Sequence, residues 1–209
     1  MNNKLYINKF TTWHATPDAP LPDVSFIPPL VRRRMTALEK IAVSMAHDII
    51  PDTPNYRIVF ASRFGEWEQT ARLLQQFHDT GEMSPAGFSN SVHNASMGHL
   101  SLITKNKNSY TSIAAGDRTL EMGILDALMT TMPVLFIYTE EQTPKLYQSI
   151  LPTDIPAHGF AIFIDNTGDT AIYVTPGTTD CEPLTAEKFC SFLGGTIDTI
   201  TTTHWTLRK

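Results

Sequence analysis

Three stretches hold the side chains that could do chemistry. Ser91-Val-His93-Asn94 puts a hydroxyl, an imidazole and an amide within four residues. Thr111-Ser112-Ile113 places two hydroxyls beside an aliphatic side chain, and Cys181 and Cys190 are the only thiols. A hydroxyl with a histidine base is the minimum for nucleophilic acyl transfer, so one reading is a self-contained hydrolase or acyltransferase using Ser91, Ser112 or His93. Ser91 has no Gly-x-Ser-x-Gly surroundings, which weakens that reading. His93 and His99 lack the i, i+4 spacing of paired helical metal ligands. A metal site would need both of them and a remote carboxylate. The other reading of His93 is a buried or interfacial histidine satisfied by hydrogen bonds. The cysteines read as ordinary thiols or, alternatively, as a redox pair. Gly194-Gly195 reads as a helix stop, since a phosphate loop needs more glycine and a lysine.

The elements that must position these residues follow from periodicity. Strand formers fill 4–12 with imperfect alternation, and Pro17, Pro20, Pro22, Pro28 and Pro29 mark an irregular connector. A helix is predicted over 32–50 on the stripe Met35, Leu38, Ala42, Met45 and Ile49. Arg32, Arg33 and Arg34 stand at its start, where the macrodipole disfavours cations; they read as a solvated turn or as a docking patch for an acidic partner. After Pro51 and Pro54, 57–62 reads as a buried strand. A helix is predicted over 65–79 on Trp67, Ala71, Leu74 and Phe77, closed by Gly81. A further helix over 90–103 carries Ala95, Ser96 and Gly98, whose small side chains predict close backbone packing. Residues 110–114 read as a strand entering a turn at Gly116. The helix that follows, 116–130, is apolar nearly all round and is therefore expected between layers. Val134-Leu-Phe-Ile-Tyr138 is uninterruptedly apolar, as in a covered sheet. Residues 143–156 are punctuated by proline, with an amphipathic piece at 146–151. Residues 159–165 and 170–175, joined by Asn166-Thr-Gly-Asp169, predict a hairpin. A short helix over 185–193 is capped by Thr185, and 201–207 predicts a last strand around Trp205. Strands alternating with helices give a layered α/β fold with a mixed sheet and a buried central helix.

Bulk properties limit the function. The 209 residues, 42% hydrophobic and 18% charged, suit one domain over 1–209. A net charge of −5 argues against nucleic acid as partner. No apolar run reaches the roughly 20 residues of a membrane span, and the first residues lack a signal-peptide core. With two cysteines and no disulfide framework, the expected location is the cytoplasm.

Together, Asn94-Ala-Ser-Met-Gly98, Thr111-Ser-Ile-Ala-Ala-Gly116 and Val134-Leu-Phe-Ile-Tyr-Thr-Glu140 resemble the N-terminal half of a β-ketoacyl synthase, with its thiolase-like α-β-α layers. The likeness runs over roughly 57–174. The Ser-Val-His-Asn-Ala form of the first motif is similar to short chain-length-factor relatives of aryl-polyene-type pathways. In the resembled family the elbow reads Thr-Ala-Cys-Ala-Thr/Ser-Gly, and Ile113 stands where that cysteine belongs. An isoleucine cannot form the thiolate that the helix N-terminus would favour. The family's two decarboxylation histidines come from a C-terminal half for which this chain leaves no room.

The resemblance therefore implies a subunit without condensing activity of its own. It would pair with a full-length β-ketoacyl-ACP synthase in fatty-acid- or polyketide-type biosynthesis. His93, Asn94, Ala95, Gly98, Ser112, Ile113, Ala114 and Gly116 would form interface and tunnel wall. No cofactor is implied in this chain, because the phosphopantetheine-linked acyl chain arrives on the partner's substrate. Arg32, Arg33 and Arg34 would dock acyl carrier protein.

Overall fold

The computed structural model describes residues 4–51, 55–151 and 155–209. One eight-stranded mixed sheet organises it, in the order β3-β2-β4-β5-β1-β6-β8-β7. The strands are β1 (Lys4–His14), β2 (Arg57–Ala61), β3 (Tyr110–Ile113), β4 (Val134–Glu140), β5 (His158–Asp165), β6 (Thr170–Pro176), β7 (Thr199–Thr201) and β8 (Trp205–Arg208). β2 pairs in parallel with β3 and β4, and the remaining pairs are antiparallel.

The hairpin predicted over 159–175 does not form. Its two strands exist, but β1 lies between them, pairing with β5 through Tyr6–His14 and with β6 through Lys4–Ile7. The connection at 166–169 crosses over β1 at a register shift between Ile7 and Lys9, where Asn8 Nδ2 donates to Thr167 O at 3.0 Å. Four residues easily span the roughly 10 Å across one intervening strand. The same bulge explains the imperfect alternation of the first strand.

The helices are α1 (Pro29–Arg32), α2 (Ala37–His47), α3 (Trp67–Thr80), α4 (Pro85–Ser89), α5 (Ala95–Thr104), α6 (Thr119–Leu128) and α7 (Ala186–Leu193). The helix predicted over 32–50 is shorter, α2 alone, and the separate turn α1 ends at Arg32. A capping box starts α2, with Glu39 N donating to Thr36 Oγ1 at 3.1 Å and Thr36 N to Glu39 Oε2 at 3.0 Å. The three arginines precede that cap and escape the macrodipole conflict. In α3, Trp67 and Ala71 are buried as predicted, but Leu73 takes the place of Leu74, and Leu74 and Phe77 are exposed. Thr185 caps α7 as predicted, accepting from Lys188 N at 3.2 Å. The tail makes two strands instead of one, because Thr202 Oγ1 closes a turn by accepting from His204 N and Trp205 N.

Two cores result, one on each face of the sheet. α2 and α5 cover Ile58, Phe60, Leu135, Ile137 and Phe163. α6, α7 and Trp205 cover Val59, Ala61, Val134, Phe136 and Phe160. Burying a leucine- or phenylalanine-sized side chain contributes about 1.5–3 kcal/mol. α6 is covered on its sheet side, whereas Met122 and Leu125 are half-buried and Met129 is 67% exposed. The prediction of burial between layers therefore holds for one side of that helix. The amphipathic piece at 146–151 is a 3₁₀ turn, Lys145–Tyr147, with Leu146 and Ile150 exposed. Pro54 and positions 152–154, which belong to sequence-predicted loops, lie outside the described residues.

Candidate functional site

Three strand ends converge on the elbow. β2 runs into the loop 62–65, β3 into 114–118 and β4 into Glu140 and Glu141. The loop after β2 is built around the Glu140 carboxyl, which accepts from Ser62 Oγ at 3.1 Å and from Arg63 N at 2.5 Å. Gly65 N in turn donates to Ser62 Oγ at 2.9 Å. Gly65 has φ +59°, and a Cβ there would lie 2.7 Å from His93 Cδ2. His93 Nε2 donates to Ser62 O at 2.8 Å, since a carbonyl can only accept. The turn before α5 is thereby locked onto the loop after β2.

This geometry removes the nucleophile-and-base arrangement. His93 Nε2 carries the proton that it donates to Ser62, so that nitrogen has no lone pair for a base. Ser91 Oγ donates to Phe88 O at 2.9 Å. Ser112 Oγ is buried without a hydrogen-bond partner among the described residues, and it pairs in register with Phe60, on the sheet face opposite Ile113. Neither serine is hydrogen-bonded to His93. His99 Nδ1 lies 2.9 Å from Glu39 Oε1. Among the described residues no group of three or more His, Cys, Asp or Glu side chains could hold a metal ion. Both cysteines are free and half-buried, and burial pushes Cys190 up to about 11.

The elbow itself is well ordered. Ser62 N donates to Ile113 O at 3.2 Å. Gly116 turns at φ +59°, Thr119 Oγ1 donates to Gly116 O at 2.7 Å, and Ala115 N donates to Thr119 Oγ1 at 2.8 Å. Ile113 is half-buried against the α6 core, while Ala114, Gly116 and Asp117 are exposed. α6 presses on β2 through Gly123, where a Cβ would come 2.7 Å from Ala61 Cβ. Gly98, by contrast, would meet nothing within 4 Å if it carried a Cβ. The close packing predicted there belongs instead to Gly65 and Gly123, and the side of α5 that carries Gly98 is open. Ala95 is half-buried and Asn94 exposed, with no side-chain cap at the start of α5. Arg33 and Arg34 are exposed, and Arg32 donates to Val24 O at 3.5 Å.

Sequence reasoning missed the carboxylates. Burial raises Glu140 and Glu141 to about 7 and Glu66 to about 8. Neighbouring charge on Glu39 and Glu141 pushes Glu66 the same way, against hydroxyl donors including Ser96 Oγ at 2.9 Å. Their signal was the pair Glu140-Glu141 directly after an apolar strand. Glu121, an acidic residue that suits the N-terminal dipole of α6, is fully buried there. It accepts from Arg118 Nη1 at 3.0 and 3.1 Å and from Leu184 N at 3.0 Å, fastening the C-terminal segment to the elbow helix. No helix among the described residues is long and apolar enough to cross a membrane.

Comparison with known proteins agrees with this architecture. A ketosynthase (ApeO) in complex with its chain length factor (ApeC) from Xenorhabdus doucetiae superposes with a TM-score of 0.78 at 22% identity, covering 99% of each chain. A type II PKS acyl-carrier protein in complex with its ketosynthase bound to the hexaketide (AntDE:AntF) matches with a TM-score of 0.64 at 14% identity, over 79% of this chain and 64% of that one. The ishigamide ketosynthase/chain length factor matches at 0.58 and 13%, over 76% and 54%. These likenesses establish a thiolase-like ketosynthase fold, as the sequence predicted. No curated protein matches. Residues 9–188 match the family described as beta-ketoacyl synthase, N-terminal domain, and the chain belongs to it.

Proposed function

We propose that this chain is a non-catalytic ketosynthase-like subunit that pairs with an active β-ketoacyl-ACP synthase and shapes its acyl tunnel. The observation that carries the reading is Ile113, an aliphatic side chain at the elbow where the condensing reaction needs a thiolate. Cytoplasmic fatty-acid- or polyketide-type biosynthesis, of which aryl-polyene formation is one form, is the proposed setting, and the whole chain acts as one domain. Condensation, an acyl transfer, belongs to the partner, which receives the carrier-protein-linked substrate.

Several features support pairing. β3 is one of the two edge strands of the sheet and ends at Ile113, and an unpaired edge needs a cover. Phe88, Val92 and Tyr110, from the segments flanking α5, are large apolar side chains left exposed. The open Gly98 and the small Ala114 and Gly116 would let another backbone approach. The relatives include a ketosynthase in complex with its chain length factor, and the same arrangement is proposed for this chain. Docking of carrier protein through Arg33 and Arg34 is a subsidiary proposal, resting on their exposure and charge.

The test is co-expression with a full-length ketosynthase from the same cell. A stable complex is expected, the isolated chain should not condense, and Ile113→Ala in the pair should change product length. Condensation by the wild-type chain alone would overturn the reading. The hydrolase alternative receives no support from the geometry of Ser91, Ser112 and His93.

A further inference from the structure

Beside the elbow lies an open cavity of about 480 Å³, within the size range of small-molecule sites. One wall is the elbow, at Gly116, Asp117 and Leu120; the opposite wall is the stretch from Pro183 to Ala186. That second wall is rigidly placed. Leu184 N donates to Glu121, and Arg118 Nη2 donates to Cys181 O at 2.8 Å. The floor is the row formed where β4 and β5 pair: Glu140 stands opposite His158, and Tyr138 opposite Phe160. The Tyr138 and His158 rings lie 5.9 Å apart between centroids, and His14 stacks behind His158 at 6.1 Å. Of these residues only Gly116 is shared with the pairing proposed above.

The polar groups of the cavity select a ligand. His158 Nδ1 lies 2.9 Å from Pro156 O, and because a carbonyl only accepts, Nδ1 holds the proton. Nε2 is then a lone-pair acceptor in the neutral ring, the form that burial favours. It has no hydrogen-bond partner among the described residues. Charge at the cavity runs against anions. Among the described lining residues the one cation, Arg63, is paired with Asp117 at 2.5 Å, and Glu140 and Glu182 add acidic groups. Tyr138 and His158 present aromatic rings to it, while the Phe64 ring is engaged by Trp67 and Arg63.

We propose that this cavity binds an uncharged, flat, ring-bearing molecule with one hydrogen-bond donor, of the phenol class, and that His158 Nε2 accepts the donor. The site stands whether or not the chain pairs with a ketosynthase, because every group belongs to this chain.

The experiment is a nuclear magnetic resonance titration of the isotope-labelled full chain with para-ethylphenol, para-ethylanisole and para-ethylbenzoate. The phenol should bind saturably, shifting the amides of Gly116, His158 and Leu184 and the Nε2 resonance of His158. The anisole, which cannot donate, should bind about fivefold more weakly, the size of one lost neutral hydrogen bond. The benzoate should be weakest. His158→Phe, which keeps a ring on the floor, should abolish the preference for phenol over anisole. Should that variant fail to fold, Glu182→Trp, at the exposed rim of the cavity, should block all three. Absence of saturable binding, equal affinity for phenol and anisole, tightest binding of the benzoate, or shifts confined to another surface would each overturn the proposal.

Discussion

His93 Nε2 and the carbonyl oxygen of Ser62, 31 residues apart in the chain, meet at 2.8 Å. The hydrogen bond uses the Nε2 proton of the imidazole that the sequence places two residues from Ser91. It converts a candidate catalytic group into a clasp between the turn before α5 and the loop after β2. Gly65 lies against the same ring.

Gly65→Ala should therefore be costly. It forces a side chain into φ +59° and toward an imidazole carbon 2.7 Å away. The left-handed conformation alone costs about 1–2 kcal/mol, and the clash adds to it. Urea denaturation should show a loss of about 2–4 kcal/mol, whereas an unchanged midpoint would contradict the clasp.

Two helix glycines should respond oppositely. Gly123→Ala meets Ala61 Cβ at 2.7 Å and Phe136 Cε2 at 2.9 Å, and overpacking of this kind costs about 1–3 kcal/mol. Gly98→Ala meets nothing and should stabilise the isolated chain by up to about 1 kcal/mol. If α5 faces the partner as proposed, Gly98→Trp should weaken co-purification with the ketosynthase while leaving thermal unfolding of the free chain nearly unchanged.

Stability should fall as pH rises. Glu140 and Glu141 have folded values of about 7 and Glu66 of about 8, all above the ordinary 4.5 and all raised mainly by burial. A folded state that holds protons more tightly than the unfolded chain is favoured below pH 4.5. It loses that advantage progressively as pH passes through 7 and 8. Each tenfold gain in proton affinity on folding is worth about 1.4 kcal/mol, so a loss of at least that size between pH 5 and 9 is expected by chemical denaturation. Glu66→Gln should flatten the curve. A profile that rises with pH would contradict the buried carboxyls.

Removing the cation that neutralises Glu121 should loosen the C-terminal segment. Arg118→Ala leaves a fully buried carboxylate with fewer partners. The guanidinium is about a third exposed, so the expected cost is about 2 kcal/mol, below that of a fully buried pair. Amide exchange should accelerate at Leu184 before it does so in β4.

Most elements, and the position of the elbow, could be read from the chain. Val134–Ile137 is apolar without a break because helices cover both faces there, and Thr185 announces α7 by capping it. Local pattern failed where distant segments decide. Residues 159–175 have every local property of a hairpin, and only the remote β1 separates the two strands. Gly98 looked like a contact residue because a helix glycine usually needs a reason, yet the close approaches are made at Gly65 and Gly123 by partners 28 and 62 residues away. The buried carboxyls were invisible for the same reason, since a glutamate's environment is set by what folds over it.

The position of β1 has a kinetic consequence. Asn8 and Thr167, which touch in the finished molecule, are separated by 159 positions. A ribosome adding about 5–20 residues per second leaves the first strand without either neighbour for on the order of ten seconds or more. Throughout that interval Leu5 and Ile7 lack the strands that cover them, because pairing of β1 must wait until both β5 and β6 have been made. Such non-local closure is slow, which makes the nascent chain a natural client for chaperones.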